Sequence, residues 1–95
     1  MAKLLGQWVR WAGTTGFVFY FHETLVRESP DCVFEAIIAH ELAHAFQMAH
    51  ENVSFLHLAA NPELRVAHER IAERLTEQWG FNQKAAKLWC RANIG

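Results

Sequence analysis

The sequence predicts an α+β fold in which a short N-terminal sheet is followed by two main helices and a short C-terminal helix. An aromatic and β-branched run at residues 17–21 favours a strand. Two later segments begin near a proline and place their apolar residues at helical spacing. A chain of 95 residues has the size of one domain, so residues 1–95 are expected to fold as a single unit.

A β-hairpin is the simplest interpretation of the N-terminal part of the chain. Its first strand is predicted from Leu4 to Trp11, and the segment Ala-Gly-Thr-Thr-Gly at residues 12–16 is predicted to form the turn. The second strand begins at Phe17, where the aromatic run starts. A short helix over residues 3–11 is the alternative.

The first long helix has a start signal at residues 29–31, Ser-Pro-Asp. Serine can cap a helix, proline suits the first helical position, and aspartate complements the positive end of the helix dipole. Apolar residues recur at helical spacing from Cys32 to about His50, and Asn52 is expected to end the helix.

A second start signal, Asn-Pro-Glu, lies at residues 61–63, after a predicted loop over residues 52–60. This helix is expected to run to about Trp79, because Gly80 suits the left-handed conformation that follows many helices. A last short helix is predicted for residues 83–91.

Charge and cysteine content exclude several classes of function. Nine basic and ten acidic residues give a net charge of -1, so no single-sign field favours nucleic acid binding. The apolar runs are shorter than the roughly 18 residues that a membrane span needs, and the first residues do not resemble a signal peptide. The expected location is therefore the cytoplasm, where Cys32 and Cys90 are interpreted as ordinary buried thiols.

The sequence His-Glu-Leu-Ala-His at residues 40–44 lies in the middle of the first long helix. A spacing of four residues places His40 and His44 on one face, where both imidazoles can reach one metal ion. Zinc accepts neutral imidazole nitrogen readily and keeps an open position when the protein supplies three ligands. Glu41 is adjacent to the first histidine, so its carboxylate can take a proton from water that the metal acidifies. The motif therefore predicts a catalytic zinc site.

The second long helix is the better source of a third ligand, because residues further along the first helix lie too far from the motif. Glu69 and Glu73 lie one turn apart on a face beside the predicted apolar stripe, and His68 lies nearer that stripe. Periodicity alone leaves Glu69, Glu73 and His68 open as candidates. The predicted stripe consists of Leu64, Ile71, Leu75 and Trp79.

The two helices together resemble those of the gluzincin metallopeptidases. Residues 39–46, Ala-His-Glu-Leu-Ala-His-Ala-Phe, are similar to the HExxH helix of that group. Residues 69–73, Glu-Arg-Ile-Ala-Glu, are similar to its second motif, E-x-x-A-D, with glutamate in place of aspartate, and Trp-Gly-Phe at residues 79–81 resembles the element that follows. The likeness spans about residues 16–81 and is closest to the small minigluzincins and the catalytic cores of the CAAX prenyl proteases.

This resemblance implies a small zincin-like domain in which His40, His44 and Glu69 bind one zinc ion and Glu41 is the general base. It also implies that Glu73 orients a ligand histidine by a contact outside the metal shell. The strand at residues 16–22 is expected to line the cleft and to pair with the substrate backbone. The implied activity is endopeptidase cleavage of a peptide or an unfolded protein.

Two alternatives remain open on the sequence alone. One is a non-catalytic or latent zinc-stabilised interaction domain; in the latent form the tail at residues 87–95 covers the cleft and Cys90 can touch the metal. The other is a regulatory protease of the phage or toxin type, which cleaves one partner protein. A Glu41→Gln variant separates an enzyme from a binding domain, because only the enzyme has an activity to lose.

Overall fold

A computed structural model of the chain describes residues 11–95. Within these residues, a two-stranded antiparallel sheet precedes a mainly helical body, so the expected α+β class is confirmed. The elements in chain order are β1 (Ala12–Thr14), β2 (Phe19–Phe21), α1 (Glu23–Glu28), α2 (Asp31–Glu51), α3 (Phe55–Ala60), α4 (Pro62–Gln78) and α5 (Gln83–Asn93).

The hairpin forms further along the chain than the sequence predicts. Its first strand, β1, lies inside the predicted turn, and the chain reverses at residues 15–18. There the Thr15 amide and the Thr14 hydroxyl both donate to the Val18 carbonyl, at 3.1 and 2.9 Å. The two strands pair in the register Ala12↔Phe21, Gly13↔Tyr20, Thr14↔Phe19. The predicted strand or helix at residues 3–11 lies outside the described residues, except for its last residue.

A short helix that the sequence did not predict, α1, connects the hairpin to α2. The Nδ1 of His22 caps it by accepting a hydrogen bond from the Thr24 amide at 3.1 Å. Leu25 is fully buried and anchors this helix to the core. Ser29 ends α1 by donating to the Leu25 carbonyl. The residue that caps α2 is therefore Pro30, and the predicted serine cap is wrong.

The ends of the long helices otherwise follow the prediction. Asn52 adopts a left-handed conformation, with φ of 55°, and ends α2. Asn61 caps α4, where its side-chain oxygen accepts from the Leu64 amide at 3.2 Å. The predicted loop at residues 52–60 is wrong for residues 55–60, because Ser54 caps the additional helix α3 there.

Two buried clusters hold α2 on either side of the HExxH motif. The smaller cluster, beyond the motif, joins α2 to α3 through Met48, Phe55 and Leu58. The larger one, before the motif, joins α2 to α1 and α5, and consists of Leu25, Val33, Ala36, Ile37, Ala86 and Cys90. Because the helix is packed at both of its ends, the motif between them is held in a fixed orientation.

The face of α4 that packs on α2 differs from the predicted apolar stripe. Ile71 and Trp79 are 37% and 47% exposed, whereas His68, Ala72 and Thr76 are buried. The prediction followed large apolar side chains, but two helices pack closely where small side chains meet. α4 is therefore rotated about its axis relative to the prediction, and the face that carries Glu69 and Glu73 is turned towards α2 and α5.

Cys90 is buried as predicted, but Cys32 is exposed, because it lies in the first turn of α2 at the surface. Both thiols are free. Across residues 11–95, no helix combines the length and the apolar character that crossing a membrane requires.

Candidate metal centre

The side chains of the predicted metal ligands converge on one point between α2 and α4. His40 and His44 project from the same face of α2, with their Nε2 atoms 3.1 Å apart. Glu69 approaches from α4, with its Oε1 2.8 Å from the Nε2 of His40 and its Oε2 2.8 Å from the Nε2 of His44. Potential ligand atoms of all three residues lie within 4.8 Å of one another. The fold thus brings the HExxH histidines together with one of the three candidates for the third ligand.

A hydrogen bond on the far side of the His40 ring shows that the residues suit a cation. The Nδ1 of His40 lies 2.8 Å from the side-chain oxygen of Gln83. That oxygen can only accept, so the ring proton of a neutral His40 is on Nδ1 and its Nε2 carries a lone pair. The lone pair faces the Glu69 carboxylate, and two such acceptors need a positive charge between them. Two imidazole nitrogens with one carboxylate are a donor set typical of catalytic zinc.

The charges of this cluster support one another in the metal-free protein. Burial disfavours a charged His40. The hydrogen bond and negative charge of Glu69, the negative charge of Glu41 and the hydrogen bond of Gln83 together outweigh burial and raise the histidine's pKa above 6.5. Burial also disfavours the Glu69 carboxylate, but the two imidazoles hold its pKa well below the usual 4.5. Without a metal, the site is therefore expected to hold an imidazolium–carboxylate pair in mildly acidic solution.

We expect the metal-free protein and its zinc complex to respond in opposite ways to pH. The raised pKa of His40 stabilises the fold below 6.5, and this contribution is lost as the pH rises through the folded-state pKa. Over the same pH range Glu69 makes a constant contribution to the free energy of unfolding, because its carboxylate is ionised in both the folded and the unfolded state. Zinc needs the unprotonated ring, so its affinity rises over the same range. Between about pH 5 and 8, the Tm of the metal-free protein should fall as the pH rises, while the gain in Tm on adding zinc should grow. A gain in Tm that shrinks as the pH rises would contradict the assignment of His40 as a zinc ligand.

Glu41 lies in the same pocket but does not belong to the ligand cluster. Its side chain is 6% exposed, and it lines the pocket together with both histidines. Burial raises the pKa of its carboxyl group, while the imidazoles of His44 and His40 partly offset that effect. A buried carboxylate with a raised pKa binds a proton more tightly than a free one, which suits a general base.

Glu73, the predicted outer partner of a ligand histidine, contacts α5. Its carboxylate accepts a hydrogen bond from the Nζ of Lys87, and within residues 11–95 no hydrogen bond joins it to His40 or His44. The contact that orients the ring of His40 comes from Gln83. The role assigned to Glu73 by resemblance therefore stays a prediction.

The remaining ligand candidates do not belong to the cluster of potential ligand atoms. His68 is buried, and its Nε2 lies 2.6 Å from a carboxylate oxygen of Glu51. With the Gln47 amide oriented so that both its ends find partners, the amide nitrogen donates to the Nδ1 of His68 at 3.0 Å. Cys90, the proposed ligand of a latent form, is fully buried in the larger core cluster. Both residues stabilise the packing of the helices that carry the site.

A pocket of about 390 Å³ surrounds the cluster and extends to both sides of it. Met48, Phe55 and Leu58 line it on the side towards the C-terminal end of α2. On the side where α5 packs, Lys87 and Arg91 line it. The site therefore has apolar surface on one side and basic side chains on the other.

One wall of the pocket is strand β1, not the strand that was predicted to line it. All of Ala12–Thr14 contributes to the lining, whereas residues 16–22 do not. The predicted wall is wrong because the hairpin turn lies later in the chain, so the first strand packs next to α2. β2 lies behind it in the sheet.

Gln83 was not among the predicted site residues, although the sequence carries a signal for it. Gln83, Ala86 and Cys90 fall on one face of the predicted last helix, where the other two are apolar. A polar side chain on a buried face needs a buried partner. That partner, His40, is visible only once the helix is docked on α2.

Comparisons of this chain with family models, curated proteins and solved structures find no match. The interpretation of the site therefore depends on the convergence of His40, His44 and Glu69 and on the pocket around them. These contacts join α2 to α4. α2 contributes to both buried clusters, and Leu64 of α4 packs against the smaller one.

Proposed function

We propose that this protein is a zinc-dependent endopeptidase of the gluzincin type, with a minimal zincin-like fold. One observation carries the proposal: the buried Glu41 lies in a pocket beside the converged side chains of His40, His44 and Glu69. Three protein ligands leave a metal position open for water and substrate, which distinguishes catalytic from structural zinc sites. A zinc-stabilised interaction domain requires neither this open position nor a buried acid beside it.

In the proposed reaction, three residues bind the metal and a fourth transfers the proton. His40, His44 and Glu69 hold one zinc ion, which acidifies water and polarises a carbonyl oxygen when bound. Glu41 takes a proton from the attacking water, whose oxygen forms a bond to the carbonyl carbon. As the carbon–nitrogen bond breaks, the protonated Glu41 returns this proton to the leaving amine. Its raised pKa suits both steps, because a carboxylate that binds a proton more tightly is a better base and its acid form can still return the proton.

The shape of the pocket supports an extended peptide as the substrate. β1 pairs with β2 along one edge, and among residues 11–95 no second strand pairs with it. An extended peptide can therefore add to the edge of β1 that borders the pocket. Met48, Phe55 and Leu58 supply apolar surface beside the metal cluster. We expect substrates to carry an apolar side chain next to the cleaved bond.

The proposed setting is the cytoplasm, and the proposed partner is a peptide or an unfolded protein. The free thiols of Cys32 and Cys90 are usual in a reducing compartment. A net charge of -1 supports neither a nucleic acid partner nor an anionic membrane surface.

Hydrolysis can be measured by adding zinc to the purified metal-free protein and following the cleavage of casein and of a library of quenched fluorescent peptides. Cleavage should appear as the zinc site fills, and a chelator such as 1,10-phenanthroline should abolish it. A protein that binds zinc at this site but cleaves none of these substrates would leave the interaction domain as the better proposal.

A further inference from the structure

We propose that Gln83 is a positioning residue of the metal centre and that it acts by fixing the tautomer of His40. The inference rests on the proposed zinc site and adds a residue outside the HExxH…E pattern. Gln83 is the first residue of α5, and its side chain is buried, with 5% of the residue exposed. It meets the ring of His40 on the side opposite to the ligand cluster.

Two acceptors compete for the single proton of a neutral His40 ring. The Gln83 oxygen lies 2.8 Å from Nδ1, and a Glu69 oxygen lies 2.8 Å from Nε2. The Gln83 oxygen is the acceptor that a proton on Nδ1 needs, so when that oxygen is removed only a proton on Nε2 has an acceptor, and the proton moves there. A ring protonated on Nε2 has no lone pair facing the cluster. Gln83 therefore keeps the ligand atom of His40 available to a metal.

Packing of α5 holds Gln83 in place. Ala86 and Cys90 follow it on the same face of the helix and are buried against α2. One turn after Gln83, Lys87 donates to the Glu73 carboxylate of α4. Because α5 contacts both helices that carry metal ligands, the Gln83 oxygen is held against His40 by the tertiary structure.

Two substitutions at this position separate hydrogen bonding from packing. Methionine is close to glutamine in size but lacks a strong acceptor, so Gln83→Met should bind zinc about 10–100-fold more weakly than the wild type. Glutamate keeps an acceptor, so Gln83→Glu should bind zinc at least as tightly as the wild type. Gln78→Met, at an exposed position of α4, is the matched control and should bind zinc as the wild type does. Competition with a chromophoric chelator measures all four affinities.

Nitrogen-15 NMR of the metal-free protein supplies a readout that depends on neither zinc nor hydrolysis. At a pH where the His40 ring is neutral, the wild type should carry the ring proton on Nδ1. In Gln83→Met the proton should be on Nε2. A residue that acts only through packing changes thermal stability but leaves this proton where it is.

The inference is overturned if Gln83→Met binds zinc as tightly as the wild type, or if His40 keeps its proton on Nδ1 in that variant. If Gln83→Met does not fold, Gln83→Glu decides, because weaker zinc binding by a variant that keeps the acceptor contradicts the proposal. A tautomer change together with weakened zinc binding, in a protein that hydrolyses nothing, supports the role of Gln83 and counts against the proposed activity. A wild type that binds no zinc overturns both.

Discussion

A Glu41→Gln variant should bind zinc as tightly as the wild type and lose about two to four orders of magnitude in hydrolysis rate. The amide cannot accept a proton from water, and Glu41 does not belong to the cluster of potential ligand atoms. The variant should also be as stable as the wild type or more so. Burial raises the pKa of Glu41, which means that the fold disfavours its charged form, and a neutral amide removes that cost.

Initial rates on a quenched peptide, zinc affinities and Tm values together test this expectation. Glu35→Gln is the matched control, because Glu35 is an exposed residue of the same helix and should keep full activity. Full hydrolysis by Glu41→Gln would show that another group is the base. Loss of zinc from that variant would make Glu41 a ligand and would require a different mechanism.

Helix ends were among the most predictable features of the fold, because they depend on local chemistry. Asn61 caps α4 and Asn52 ends α2, as the sequence indicates. The additional helices α1 and α3 each have six residues, which is too short for apolar periodicity to be recognised. The hairpin was placed too early because a glycine–threonine stretch can form a strand or a turn, and the pairing with β2 decides between them.

The two histidines of the site were predictable because they share one helix, where a spacing of four residues alone fixes their relation. The third ligand depends on how α4 is rotated against α2. Burial of Ala72 and Thr76 determines that rotation, and a pattern of large apolar residues does not reveal it. Only the resemblance singled out Glu69 from the other candidates. The partner of Gln83 was out of reach, because that contact requires a third helix to dock on α2.

Zinc should raise the Tm of the wild type strongly, and Glu69→Gln should lose this effect. At free zinc a thousandfold above its Kd, binding stabilises the folded state by about 4 kcal/mol. A domain of this size shifts its Tm by about 4–8 °C for each kcal/mol, so the expected gain is about 15–30 °C. Glu69→Gln replaces the anionic ligand that faces both histidines with a neutral amide, and thermal denaturation with and without zinc measures the loss.

The same measurement on two further variants decides between the candidates for the third ligand. Glu63→Gln, in the exposed first turn of α4, controls for loss of a negative charge and should keep the full gain in Tm. Glu73→Gln removes the contact with Lys87 but none of the atoms that converge on His40 and His44, so it should also keep most of the gain. If Glu73→Gln loses the zinc effect and Glu69→Gln keeps it, the ligand assignment is reversed. Such a result would require α4 to rotate about its axis when zinc binds, because Glu73 contacts Lys87 of α5.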